Sequence, residues 1–285
     1  MTAVMAIDIR DRTLIVTGAS AGIGAATALA AAEAGMHVVI SARRADRLEA
    51  LAERVRAVGR HAEVVVGDVT DRLIDEQMFA AADRLGGLYA VFSNAGYGFE
   101  RPTVDLDEAA LREIFEVNFF SSLRLVRSAA KHLLESERRG HLLLCSSCVA
   151  KFTLPRFAAY SATKSAQNLF ARAMRHELRP HGIEVSSVHP ITTTTEFFEV
   201  SAKRSGRERP ISVTPEHAPK FFVQPPQRVA RAIIRCLRRP RSEVWTSHIV
   251  RTVAGVMNAW PGFLDMVMAV EAKRQFRADA KSPPH

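Results

Sequence analysis

Short apolar runs alternate with amphipathic stretches along the first two thirds of the chain. TLIVTG (13–18), MHVVIS (36–41), HAEVVVGDV (61–69), LYAVFSNAG (88–96), GHLLLCSS (140–147) and IEVSSVHP (183–190) read as buried strands. Helical patterns lie between them. Residues 22–34 are Ala-rich and stop at Gly35, and residues 44–58 carry Leu48, Leu51 and Val55 at helical spacing before Gly59. Further helices are predicted over 71–85, within 105–137 as one or two elements, and over 157–179. Strands that are apolar along their whole length must be covered on both faces. Their alternation with helices predicts an α/β fold, a doubly wound parallel sheet of about seven strands with helices on both faces. In such a sheet, ligands bind beyond the carboxyl ends of the strands. The chain is read as a single domain over 1–285, with a core over 12–190 and a distinct final part over 191–285.

The pattern changes in that final part. Residues 225–240 form an amphipathic helix with Val229, Ile233, Cys236 and Leu237 on one stripe and Arg228, Arg231, Arg235 and Arg238 on another. From Ile249 to Val270 the chain is apolar and Met-rich, with Val253, Met257, Trp260, Leu264 and Val267 at helical spacing and Pro261 as a break. This segment suits a pocket cover, a subunit contact or a membrane interface. Phe197, Phe198, Phe221 and Phe222 flank a basic, Pro-punctuated stretch between the sixth strand and the amphipathic helix.

Charge adds one fact. The net charge is +9, and residues 201–251 hold 12 Lys/Arg against 3 acids, so the excess lies in this one segment. A solvated helix face accounts for it. An anionic partner, such as a membrane surface, an acyl carrier or a CoA-like substrate, is the alternative. Nucleic acid is disfavoured, since no interleaved aromatics or known motif accompany the charge. Three cysteines make no disulfide framework, and Cys145 and Cys148 lack the second pair that a metal site needs. The first twelve residues contain acids and no long apolar run, and no stretch reaches the length of a span. These features predict a cytoplasmic protein, with peripheral membrane contact as the alternative.

The chemistry gathers in a few motifs. In Tyr160-Ser161-Ala162-Thr163-Lys164, helical geometry brings Lys164 one turn from Tyr160. A nearby ammonium favours phenolate, so the pair can exchange a proton with a carbonyl or alcohol oxygen. Ser147 lies upstream and can hydrogen-bond that oxygen, with Ser146 as its neighbouring competitor. Thr17-Gly18-Ala19-Ser20-Ala21-Gly22-Ile23-Gly24 joins the first strand to the first helix, where glycines and a helix N-terminus accommodate phosphate. The second strand ends in Ser41-Ala42-Arg43-Arg44, without the acid that a ribose hydroxyl calls for. Guanidinium suits a 2′-phosphate, which selects NADP(H), chiefly through Arg43. Asp68 can accept from the adenine amino group, and Asn94-Ala95-Gly96 leaves room for the cofactor.

Together these residues resemble the short-chain dehydrogenase/reductase family over roughly 12–200. The resemblance rests on TGASAGIG (17–24), GDV (67–69), NAG (94–96), Asn118 within EVNFF, Ser147, YSATK (160–164) and His189-Pro190. It implies a Rossmann fold and a catalytic set of Asn118, Ser147, Tyr160 and Lys164. It implies cofactor contacts from Gly18, Ser20, Gly22, Ile23 and Gly24 on the first turn, and from Asp68, Val69, Asn94, Ala95 and Gly96 further on. Tyr160, Lys164, Pro190 and Thr195 complete that set. The family usually follows the sixth strand with Pro-Gly, whereas here Ile191 follows Pro190. The stretch after it corresponds to a flap over the substrate. The resulting expectation is an NADP(H)-dependent oxidoreductase acting on a hydrophobic carbonyl or alcohol, assembled as a homodimer or tetramer. One rival is a reductase of a carrier-bound 3-oxoacyl thioester; another is a non-catalytic NADP-binding sensor or scaffold.

Overall fold

Seven strands form one parallel sheet: β1 (Thr13–Thr17), β2 (His37–Ala42), β3 (Ala62–Val66), β4 (Leu88–Ser93), β5 (Gly140–Cys145), β6 (Ile183–His189) and β7 (Glu243–Trp245). Their order is β3-β2-β1-β4-β5-β6-β7, so the direction of winding reverses between β1 and β4. The structure is a computed structural model and describes residues 6–205 and 223–279. Phe221, Phe222 and part of the basic segment, including Arg207, Arg209 and Lys220, lie outside the described residues.

The period-two alternation of strand side chains explains why β1 is buried throughout and apolar from Leu14 to Val16. Leu14 and Val16 face a core shared with α1 (Gly22–Glu33), α2 (Ala45–Ala57) and α8 (Pro226–Arg238). Ile15, between them, faces a second core shared with α3 (Arg72–Arg84), α5 (Ser121–Glu135) and α6 (Ala158–Leu178). This is the doubly wound sheet expected from the sequence. The apolar stripe predicted on α8, from Val229 to Leu237, is buried, and its four arginines are exposed.

Three features add detail to the sequence reading, two of them, the pair of helices within 105–137 and the break at Pro261, being anticipated there. The segment 105–137 holds α4 (Glu108–Phe115) and α5, joined without a loop by a π turn over Glu116–Phe120. The strand β7 is only three residues long and carried no clear apolar run, yet it completes the sheet beside β6. The apolar tail divides into α9 (His248–Ala259) and α10 (Pro261–Asp279), bent by 112° at Pro261. A bend of that size removes any common face across the proline. Accordingly α9 buries Val250, Ala254 and Met257, while Val253 and Trp260 of the predicted stripe are exposed. Among the described residues, no single helix is long and apolar enough to cross a membrane. A further short helix, α7 (Phe197–Arg204), follows β6 and returns over the carboxyl end of the sheet.

Candidate active site

The cluster forms where β4, β5 and β6 end. A small apolar core of Tyr97, Phe99, Ile114 and Ala159 supports the start of α6 and packs against Tyr160. The π turn carries Asn118, which is fully buried. Its Oδ1 accepts from the Tyr97 backbone N–H at 2.9 Å, and its Nδ2 donates to the Tyr97 carbonyl at 2.8 Å. Asn118 thus pairs with the backbone just past β4 as another strand would. A side chain at Gly96 would place its Cβ 2.9 Å from the Asn118 Oδ1 and 3.5 Å from the Lys164 Nζ.

Lys164 lies on the first turns of α6 and is buried. Its ammonium donates to the Cys145 carbonyl at 2.7 Å and to the Gln167 Oε1 at 3.1 Å. Gln167 in turn donates to the Asn118 carbonyl at 2.6 Å, so one side chain joins the lysine to the π turn. The Nζ lies 5.6 Å from the centre of the Tyr160 ring. From the sequence, the ammonium was expected to lower the Tyr160 phenol. Burial instead pushes the phenol up, aided by the thiol of Cys145, and a hydrogen bond with Ser147 opposes it. The reason is visible in the donors of Lys164, which are spent on neutral oxygens. Burial also lowers the pKa of Lys164 itself.

The two neighbouring serines have separate tasks. Ser146 donates to the Lys164 carbonyl at 2.8 Å and ties β5 to α6. Ser147 caps a short 3-10 turn, its Oγ accepting from the Val149 N–H. Its carbonyl accepts from the Nδ1 of His189 at 2.9 Å. Burial lowers His189 to about 4, so the ring is neutral and carries one proton. With that proton on Nδ1, the Nε2 accepts from Ser187 at 2.9 Å. Trp245 of β7 stacks on the imidazole at 4.6 Å and 9°. The His189-Pro190 motif was legible in the sequence, but the clamp from β7 was not. The backbone N–H of Cys148 donates to the Pro190 carbonyl at 3.1 Å, and Ile191, next in the chain, is buried.

The turn after β1 forms the other part of the crevice. Gly18 and Gly22 have φ of +65° and +57°, a region that side chains rarely adopt. A Cβ on Gly24 would lie 2.4 Å from the Gly18 carbonyl. Ile23 packs against the core below. No side chain caps the N-terminus of α1, which leaves its first amides without a side-chain acceptor, the condition under which a helix start can receive an anion. Asn94 and Ala95 fasten this turn to β4, both backbone amides donating to the Thr17 Oγ1. Asp68 accepts from the Thr70 amide and hydroxyl and pairs with Arg43 at 3.5 Å. The Val69 carbonyl accepts from Arg124 at 2.6 Å.

Arg43 points outward, its side chain 73% exposed. Arg44 instead lies on the turn and donates to the Ser20 Oγ at 3.0 and 3.2 Å. It also donates to Glu196 at 2.8 Å, and Arg47 bonds the other oxygen of that carboxylate. Thr195, just before Glu196, occupies the space beside Gly22, where a Cβ would lie 2.9 Å from the Thr195 Cγ2. Phe197, just after it, meets the Tyr160 ring at 5.4 Å and lies against Gly98. Three consecutive residues therefore touch the glycine turn, the arginines and the candidate catalytic tyrosine. Arg44, Arg47, Glu196 and Gln167 were not singled out as site residues from the sequence. Glu196 lies 152 residues from Arg44, and nothing local marks it.

Comparisons with known proteins place this arrangement. The short chain dehydrogenase family profile matches residues 12–205. The chain is 32% identical over 211 residues to 1-deoxy-11-beta-hydroxypentalenate dehydrogenase of Streptomyces exfoliatus, covering 73% of this chain and 77% of that protein. An alcohol dehydrogenase from Thermococcus sibiricus, solved with 5-hydroxy-NADP, is 26% identical with a TM-score of 0.67, over 81% of this chain and 94% of its own. A short chain dehydrogenase/reductase from Burkholderia phymatum, solved with NAD, shares the fold at 22% identity and a TM-score of 0.76, over 87% and 93% of the two chains. The profile spans more than half of the sequence and the sheet order agrees with it. The chain belongs to the short-chain dehydrogenase family of oxidoreductases.

Proposed function

We propose that the protein is an NADP(H)-dependent oxidoreductase of a hydrophobic carbonyl/secondary alcohol pair. One observation carries this reading: Asn118, Ser147, Tyr160 and Lys164 gather at the strand ends beside an anion-receptive turn and an arginine-bearing β2 end. A bound nicotinamide supplies or accepts the hydride. Tyr160 moves the proton at the substrate oxygen. Burial keeps its phenol protonated at neutral pH, the form that carbonyl reduction requires. Ser147 holds the same oxygen by a hydrogen bond. Lys164 orients the nicotinamide ribose, and Asn118 keeps the β4 end and Lys164 in register through Gln167.

The uncapped α1 amides and Ser20 suit phosphate, and Arg43 and Arg44 suit the 2′-phosphate that marks NADP(H). Phe197 against Tyr160 supports an apolar substrate, since a carbonyl brought to the phenol meets that ring. The exposed arginines of α8 favour a second reading, in which the substrate is a 3-oxoacyl thioester on an acidic carrier.

The test is Tyr160→Phe, assayed by NADPH turnover across ketones of increasing apolar size. The expected loss is on the order of 10³-fold with the fold intact. Unchanged turnover would remove Tyr160 from the mechanism. Salt-sensitive preference for a carrier-bound substrate would select the second reading.

A further inference from the structure

The contact between Glu196 and the two arginines is not needed by the chemistry above. Its position is informative. Arg44 donates to Ser20 of the phosphate-receptive turn and, with its other nitrogen, to Glu196. Arg47 completes the clasp on the same carboxylate. A guanidinium fork accepts a carboxylate or a phosphate with the same geometry. Any phosphate reaching Arg44 therefore competes with Glu196.

We infer that Glu196 sets the cofactor preference by standing in for the 2′-phosphate at Arg44 and Arg47. This rests on the NADP(H) reading of the arginine cluster. Glu196 is the second carboxylate in a group of three guanidiniums, the other being Asp68 on Arg43. Removing its charge raises the local positive charge by one and frees two donors. The exchange is within reach because the clasp lies at the surface: the side chains of Arg44, Arg47 and Glu196 are 41%, 44% and 36% exposed. Exposed pairs of this kind are weak and readily traded for another anion. Glu196 acts on the phosphate alone, so a cofactor lacking it gains little from the change.

The experiment is calorimetric titration of the full-length protein with 2′,5′-ADP and with 5′-AMP, for the wild type and Glu196→Gln. Neither ligand reports on turnover. Glu196→Gln is expected to bind 2′,5′-ADP about tenfold more tightly, with 5′-AMP unchanged, and the gain should shrink at high salt. Equal or weaker binding of 2′,5′-ADP by the variant, in a protein that does prefer the 2′-phosphate, overturns the role of Glu196 and leaves the NADP(H) reading standing. Equal binding of the two nucleotides by both proteins overturns the NADP(H) reading and this role with it. A tighter grip on both nucleotides shows that Glu196 blocks the crevice as a whole, and also overturns a phosphate-specific role. Glu196→Ala separates charge from shape: it must match Glu196→Gln if the carboxylate charge is what competes.

Discussion

At the candidate catalytic end, Asn118, Lys164 and Gln167 are buried and spend their polar atoms on backbone groups and on each other. At the adenosine end as we read it, Arg43 is largely and Arg44 and Arg47 partly exposed, and they meet carboxylates that water also reaches. The first arrangement fixes positions, because a lost partner leaves a buried group unpaired at about 1–3 kcal/mol. The second fixes only charge, because exposed pairs contribute about 0–1 kcal/mol each and yield to an incoming anion. Chemistry that depends on sub-ångström geometry and a preference that depends on the sign of a field are thus built from different materials.

Replacing Asn118 by Ala tests this contrast most severely. It leaves the Tyr97 N–H and carbonyl without their partner, so a stability loss of about 3 kcal/mol is expected together with loss of turnover. A variant that melts like the wild type but is inactive would show that Asn118 serves the reaction without holding the frame. Acid denaturation gives the next effect. The pKa of His189 falls from the ordinary 6.5 to about 4, so the unfolded chain takes up the proton first. The stability it contributes is present above pH 6.5 and is lost as the pH falls from there through 4. The gap corresponds to about 3 kcal/mol at most. His141, buried and lowered to about 3, loses stability over the same range for the same reason. His189→Asn should therefore flatten, without abolishing, the fall in melting temperature on that side. An unchanged profile would mean that His189 is not the neutral donor to Ser147. The smallest effect belongs to the exposed end. Arg43→Ala should raise the Kd of NADPH roughly tenfold and leave NADH almost unchanged. Equal losses for both would remove Arg43 from phosphate recognition.

The first six strands and the Tyr160, Lys164 and Ser147 group were legible because each signal is local, whereas Asn118 was legible only through the family resemblance. Val38 to Ile40 announce a buried strand, and Tyr160 and Lys164 announce a shared helix face. Contacts between distant segments were not legible. The stacking of Trp245 on His189 depends on a strand of three residues. The Arg44–Glu196 bond depends on how the chain returns after β6. Arg43 and Arg44 are adjacent in sequence, and only the backbone direction at the end of β2 decides which one lies on Ser20. The break at Pro261 was legible, but its angle of 112° was not, and that angle decides that Val253 and Trp260 do not share a buried face with Met257.

The π turn at Glu116–Phe120 makes the length of this helix as consequential as its composition. A helix advances about 100° per residue, and a π turn accommodates one residue more than the regular spiral. Ahead of it, Ile114 points into the core beneath Tyr97; after it, Leu125 and Val126 point into the sheet. Removal of one of the residues between 116 and 120 other than Asn118 would restore a regular spiral: the two halves keep their faces, because the π turn takes up its extra residue without turning them, but the wide turn that holds Asn118 is lost. Asn118 would then no longer be held against the Tyr97 backbone, while the sheet-facing residues of α5 keep their contacts. A deletion that leaves all four candidate catalytic groups in the chain should thus disable the site, whereas most single replacements at the exposed Glu116 should not.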